Sequence, residues 1–349
     1  MDYQSEFRRS VEQPEQFWRE KANAIDWIRP PEDIWKASEN GHGEWFPDGL
    51  INTCDVALDA NIRAGRGNQK ALVYDSPVTN TTQSYTYRQL TDQVARFAGV
   101  LKARGIGHGD RVIIYMPMVP QAVIAMLACA RLGAVHSVVF GGFAARELAV
   151  RITDARPKAV VTASCGIEVN KVIAYKPLVD SAIEQAEYKP ECCIVFQRPE
   201  VTADMTTGRD LDWEAEMARA TPADPVPVAA TDPLYILYTS GTTGKPKGVV
   251  RDNGGHAVAM RYSMELVYGA QPGDVFWAAS DVGWVVGHSY IVYAPLITGC
   301  TTVLYEGKPV KTPDAGAFWR VVQDHRVNYL FTAPTAFRAV RKEDPEADL

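Results

Sequence analysis

The stretch VIIYMPMVPQAVIAMLACARLGAVHSVVF, residues 112–140, decides how this chain folds. Val112 to Met116 is a continuous apolar run, the composition of a parallel strand buried on both faces. Val119 to Leu132 predicts a helix that Gly133 ends. Val135 to Phe140 is apolar again and predicts the next strand. The same alternation extends in both directions. Lys70 to Tyr74 reads as a short strand. Thr86-x-x-Gln89 matches a capping box, and Leu90, Val94, Phe97 and Leu101 follow at helical spacing until Gly105. Downstream, Ala145 to Ala155 and Lys176 to Glu187 read as helices, and Lys158 to Thr162 and Cys192 to Phe196 as strands. Repeated units of this order predict an α/β fold with mostly parallel sheets flanked by helices.

Outside this alternation the pattern changes. Residues 1–60 are rich in Trp, Pro and charge, with Trp18, Trp27, Trp35 and Trp45 spread along them. Gln13 to Trp27 can hold a short helix with Phe17 and Trp18 on one side, stopped by Pro30-Pro31. Pinned by aromatics rather than by periodicity, this part reads as an extension wrapped on a larger body, residues 61–349. Residues 198–233 are acidic and rich in Ala, Pro and Thr, and Ala220 to Pro227 reads as an extended connector.

Composition bounds the function. The chain has 349 residues, 46% hydrophobic and 22% charged, with a formal net charge of −6, which excludes wholesale disorder and collagen-like classes. An acidic chain without a basic run is a poor nucleic-acid binder, so any anionic ligand must be held by local geometry. The six cysteines, at 54, 129, 165, 192, 193 and 300, include no Cys-x-x-Cys pair and are expected to be buried, reduced thiols. Met1 to Arg9 lacks the apolar core of a signal peptide, and Val119 to Ala130 is shorter than a membrane span. These features favour a cytoplasmic protein without membrane or nucleic-acid partners, and an inert sequon at Asn80.

The most informative loop follows the strand Pro233 to Thr239. Tyr238-Thr-Ser-Gly-Thr-Thr-Gly-Lys-Pro-Lys-Gly248 holds three glycines, four aliphatic hydroxyls and two lysines. Glycines let backbone N–H groups turn towards an anion; hydroxyls add donors and lysines add charge. This suits a polyphosphate. It is not a Walker A loop, because Gly241 and Gly244 are only three positions apart and Pro246 follows Lys245. Pro246 also argues against a helix starting at the lysine, so a longer loop is expected.

Thr239 to Gly248 resembles the phosphate-loop signature of AMP-forming acyl-CoA synthetases, the acyl-adenylate superfamily. So do Ser280-Asp-Val-Gly-Trp-Val-Val-Gly-His-Ser-Tyr290, Phe331-Thr-Ala-Pro-Thr-Ala-Phe-Arg338 and Val138-Val-Phe-Gly-Gly-Phe143. Together with the Trp/Pro-rich start they look like the short-chain branch, the acetyl-CoA and propionyl-CoA synthetases. Val249-Val-Arg-Asp-Asn-Gly-Gly-His256 and Ala163-Ser-Cys-Gly-Ile-Glu168 look more like the propionyl enzymes. The resemblance implies the large N-terminal domain of the adenylate-forming fold, residues 61–349, behind an extension over 1–60. It implies ATP, Mg²⁺ and CoA as ligands, a short-chain carboxylate as substrate, and no metal-ligating residue within residues 1–349, the Thr-Glu that holds Mg²⁺ being expected beyond Leu349.

The same resemblance implies roles for individual residues. Thr239, Ser240, Gly241, Thr242, Thr243, Gly244, Lys245 and Lys247 would bind the ATP phosphates, and Lys245 and His288 are the candidate catalytic residues. Trp284, Val285 and Val286 would form the acyl pocket. The acetate-activating branch has Thr in place of Val286, so Val favours propionate. Phe140, Gly141 and Gly142 would line the nucleotide end of CoA and Ala333 its pantetheine tunnel. Where the acetate branch carries arginines for the CoA 3′-phosphate, this chain has Glu168, which cannot pair with phosphate, and Lys171, which could do so as a point charge. His42, His136 and His256 receive no role. The family's adenine, ribose and C-terminal lysine motifs are expected beyond Leu349, which predicts an incomplete, inactive ligase fragment. The alternatives are an acetate-specific ligase, a non-catalytic module that binds CoA, nucleotide or a partner, and an enzyme adenylating aryl or amino acids.

Overall fold

The computed structural model describes residues 3–37, 41–239 and 246–349. In chain order, the strands of its two large sheets are β1 (Lys70–Ser76), β2 (Thr81–Thr86), β3 (Arg111–Tyr115), β4 (Val135–Val138), β5 (Ala159–Ala163) and β6 (Cys192–Phe196). They continue with β7 (Asp210–Asp212), β8 (Pro233–Thr239), β9 (Lys247–Asp252), β10 (Val275–Ala279), β11 (Thr301–Tyr305) and β12 (Tyr329–Thr332). One sheet runs β7-β6-β5-β3-β4-β8-β9 and the other β12-β10-β11-β1-β2. Neighbours are parallel except β8 with β9 and β1 with β2, which are antiparallel. The α/β expectation holds.

The helix expected from residues 119–132 spans Pro120–Arg131, and Ala122 to Arg131 are all buried. Apolar on every side, it shares one core with Val112 and Ile114 of β3 and with Phe276 and Leu304 of the other sheet. Gly133 ends it with φ +67°, and a Cβ there would meet Val228 Cγ1 at 2.6 Å. Buried Arg131 closes the same end: its guanidinium grips Asp59 at 2.7 and 3.1 Å, and its Nε donates to Ala223 O at 2.7 Å. The capping box is formed reciprocally by Thr86 and Gln89, at 3.2 and 2.9 Å, at the start of the helix Tyr87–Ala103.

Several elements depart from the sequence expectation. β4 ends at Val138 because the chain turns, closed by Phe143 N–H to Phe140 O at 3.0 Å. A helix over Tyr3–Glu12 precedes the expected one, which spans Pro14–Ala22. Phe17 and Trp18 both pack on Tyr262, with ring centroids 5.5 and 5.6 Å away, so the extension does lie on the larger body. Cys165–Glu168 and Lys171–Ala174 form a hairpin. The acidic tract holds β7 and a helix over Trp213–Arg219, started by Asp212 accepting from Ala215 N–H at 2.8 Å; Trp213 stacks on Phe97 at 3.8 Å. Ala220 to Pro227 carries no helix or strand, and Ala223 and Val226 tie it to the body through Ala95 O and Arg131 O. All six cysteines are buried free thiols. No helix among the described residues is long and apolar enough to cross a membrane.

Candidate active site

In parallel sheets ligands gather beyond the carboxyl ends of the strands. Here the ends of both sheets converge. Met118 follows β3, Phe140 follows β4, Ser280 and Asp281 follow β10, Gly307 and Lys308 follow β11, and Ala333 follows β12. All of them line one cavity of about 600 Å³, with Trp284 and Tyr305 in its wall. A smaller hollow of about 90 Å³ adjoins it, sharing Met118, Phe140, Asp281, Gly307 and Lys308 and adding Gly141, Gly142, Glu168 and Tyr175. The structure thus brings together Phe140, Gly141, Gly142, Trp284 and Ala333. Lys171 stands on the hairpin strand, exposed, and lines neither space.

The rim is aromatic. Phe140 lies 5.3 Å from Trp284 and 5.6 Å from Phe143, between ring centroids. Tyr115 fixes this loop from below: its hydroxyl donates to Phe143 O at 2.8 Å, with Gly141 O at 3.1 Å. Gly141 leaves room for Tyr175, whose Oη would stand 2.2 Å from an added Cβ. Trp284 remains 47% exposed, its indole presented to the cavity mouth.

Trp284 opens a helical wall. His288 N–H donates to Trp284 O at 3.0 Å, and the turns over Gly287–Tyr293 are widened to the π type before Ala294–Thr298 resumes an α-helix. Successive residues on a helix point about 100° apart, so neighbours face different spaces. Val285 lines a second cavity of about 560 Å³ with Ser289, Tyr235, His256, Arg251, Trp18 and Trp45. Val286 packs, half-buried, against the core. Trp284, Val285 and Val286 are therefore not walls of one space.

His288 is fully buried and lines neither cavity. Its Nδ1 lies 2.9 Å from Trp284 O, and its ring packs on His136 at 5.6 Å and Tyr235 at 4.7 Å. Burial pushes the His288 imidazole down to about 4 and that of His256 down to about 3; His136 is lowered by burial and by its histidine neighbours. The cluster is neutral at physiological pH. His136 also shares a 2.6 Å hydrogen bond with Tyr293 Oη.

The strands on either side of the Gly-rich loop, β8 and β9, pair antiparallel. Thr239 at the end of β8 pairs with Lys247 at the start of β9, both exposed, and the helix Gly254–Ser263 begins only after β9 returns. In a Walker A loop the helix follows directly. Ser240, Gly241, Thr242, Thr243, Gly244 and Lys245 lie outside the described residues.

The family profile for AMP-binding enzymes matches residues 59–349. The chain belongs to that family. A second profile, the acetyl-coenzyme A synthetase N-terminus, matches residues 3–57. Among curated relatives, an uncharacterized protein of Pseudomonas aeruginosa is 62% identical over 348 residues, covering 100% of this chain and 55% of its own length. Human acyl-CoA synthetase short-chain family member 3, mitochondrial, is 54% identical over 353 residues, 100% of this chain and 51% of that protein. Propionate–CoA ligase of Escherichia coli is 45% identical over 345 residues, 98% and 54% of the two. Acetoacetyl-CoA synthetase from Streptomyces lividans superposes with a TM-score of 0.87 at 30% identity, covering 96% of this chain and 51% of that one. The chain spans about half the length of the curated relatives it matches.

Three residues of this AMP-binding domain escaped the sequence reading. Asp281 lies in a quoted motif but received no role; burial pushes its carboxyl up to about 6, against the pull of Gly283 N–H, which donates to Oδ1 at 2.7 Å. Glu306 and Lys308 follow β11 in a stretch with no motif. Glu306 is buried and pairs with Arg198, which follows β6 of the other sheet, at 2.6 and 3.1 Å. Tyr74 and Ser76 donate to the same carboxylate at 2.5 and 2.9 Å. The pair ties the two sheets together at the cavity floor. Only the order of strands in space could have pointed to it.

Proposed function

We propose that this chain belongs to a ligase that activates a short-chain carboxylate, propionate in preference to acetate, with ATP and then transfers the acyl group to CoA. A carboxylate oxygen attacks the α-phosphorus of Mg·ATP; the bond to the bridging oxygen breaks and pyrophosphate leaves. The CoA sulfur then attacks the acyl carbonyl, AMP departs, and the thiol proton passes to solvent or to AMP phosphate. The hard part of the first step is holding a carboxylate against a triphosphate, a task for preorganised donors and cations.

The observation that supports this reading is the convergence of Phe140, Trp284 and Ala333 on the larger cavity at the strand ends and of Phe140, Gly141 and Gly142 on the hollow that adjoins it. In this reading the cavity takes CoA, with its thiol arm running past Ala333 towards Trp284. The segment from Thr239 through Ser240, Gly241, Thr242, Thr243, Gly244 and Lys245 to Lys247 takes the β- and γ-phosphates, and Lys245 meets the developing charge. In this reading Mg²⁺ arrives bound to ATP. Trp284 stands beside the acyl group with Val286 packed behind it, Val285 facing the second cavity, and a neutral His288 positions Trp284 through its carbonyl. The name of the E. coli relative also favours propionate.

The test is carboxylate-dependent ATP–pyrophosphate exchange with acetate, propionate and butyrate, with circular dichroism as the folding control. Exchange greatest with propionate, and lost in Lys245→Ala, supports the reading. Exchange with benzoate or an amino acid and none with short acids overturns it.

A further inference from the structure

The two adjoining spaces at the strand ends carry an excess of acid. Glu168, Asp281 and Glu306 line them, and among the described lining residues Lys308 is the only basic side chain. Glu306 is already neutralised by Arg198. Glu168 and Lys308 form an exposed ion pair at 3.5 Å, with side chains 58% and 46% exposed. Pairs of this kind contribute about 0–1 kcal/mol, so a better anion displaces one easily. A phosphate with several acceptor oxygens is such an anion.

The backbone under Lys308 is held in place while its side chain stands half-exposed beside Glu168. Lys308 N–H donates to Thr312 Oγ1 at 2.6 Å, and that hydroxyl donates back to Lys308 O at 2.8 Å. Tyr305 Oη donates to Thr312 O at 2.7 Å, and the Arg198–Glu306 pair anchors the turn two residues earlier. Lys171 has no such placement.

We propose that Lys308 is the residue that receives a phosphate of CoA at this mouth, and that Glu168 is its resting partner, exchanged for the phosphate on binding. This deepens the reading given above and rests on it for the identity of the ligand. Glu168 then acts as a selectivity device. It repels an anion that does not engage Lys308, and its loss should tighten binding.

The experiment is calorimetric titration of CoA, dephospho-CoA and pantetheine into the parent chain and into Lys308→Ala, Lys171→Ala and Glu168→Gln. Loss of a hydrogen bond to a charged group weakens CoA binding roughly tenfold or more in Lys308→Ala. Pantetheine, without phosphate, should change less than about twofold, and Glu168→Gln should strengthen CoA binding. An equal loss with dephospho-CoA assigns the contact to the pyrophosphate; no loss with dephospho-CoA assigns it to the 3′-phosphate. Both support the proposal. Unchanged CoA affinity, an equal loss for pantetheine, a larger loss in Lys171→Ala, or no CoA binding by the parent would overturn it. Pyrophosphate exchange, measured in parallel, tests the activity separately: exchange with benzoate or an amino acid and none with short acids, alongside the expected titrations, removes the short-chain ligase reading and leaves the phosphate contact standing.

Discussion

Glu306→Gln should cost this protein far more than its conservative shape suggests. The substitution preserves size and one acceptor oxygen but removes the charge that faces Arg198. Both side chains of the pair are about 95% buried, at 4% and 5% exposure. The nearest other carboxylate, Glu200, is 3.5 Å from Arg198 Nε and more open to solvent. Breaking a buried ion pair from one side costs about 3–5 kcal/mol, because the partner charge is left uncompensated. The hydroxyls of Tyr74 and Ser76 can still donate to the amide oxygen, which places the expectation near the lower end, about 3 kcal/mol. Urea unfolding followed by tryptophan fluorescence would read this as a lowered midpoint with an unchanged slope. Arg198→Met should cost a similar amount, and Arg198→Met with Glu306→Leu clearly less than the two single changes combined. Single variants within about 1 kcal/mol of the parent, the range of a surface pair, or additive costs would refute the claim that this pair is dry and couples the sheets.

Three further outcomes follow from the same geometry. The imidazoles of His136, His256 and His288 are lowered in the fold, so their neutral forms stabilise it above the unfolded value near about 6.5, and that contribution is lost as pH falls towards 4. Their ring signals in NMR should not titrate between pH 8 and 5, and a midpoint near 6.5 for any of them would contradict the packed cluster. Val286→Thr should shift preference towards acetate by about 1–3 kcal/mol in the ratio of kcat/KM for the two acids; an unchanged ratio would remove Val286 from acid selection. Thr86→Ala should destabilise the protein by about 1 kcal/mol in chemical unfolding, because Gln89 N–H loses its acceptor at the helix start, and a neutral result would show that the cap is replaced by water.

The parallel core was legible because its residues are uniform: an apolar run such as Val112 to Met116 has few other uses, and Thr86 with Gln89 marks a helix start locally. β2 was not legible, because Thr-Thr-Gln-Ser-Tyr-Thr has no apolar alternation and is a strand only by pairing with β1. The hairpin at 165–174 escaped for a similar reason. At the site, Phe140 and Trp284 could be named from motifs, and the structure sets their rings 5.3 Å apart, tilted by 33°. That Val285 looks into another space follows from helical geometry, which the motif conceals. Lys308 and Glu306 had no motif at all; what makes them matter is that β11 lies beside β10 and β1 and ends where β6 of the other sheet ends.

The helical wall that begins at Trp284 also bears on how such a protein can diverge. Trp284 and Val285 are neighbours in the chain yet border separate chambers, so a mutation at either one remodels a single compartment. Gly287 behaves differently. An added Cβ would sit 2.0 Å from Asp281 O, against backbone that cannot swing aside, so any larger residue there must displace the whole wall and disturb both compartments together. The two chambers can thus drift independently through 284 and 285, while 287 is a position at which selection can act only on the two jointly.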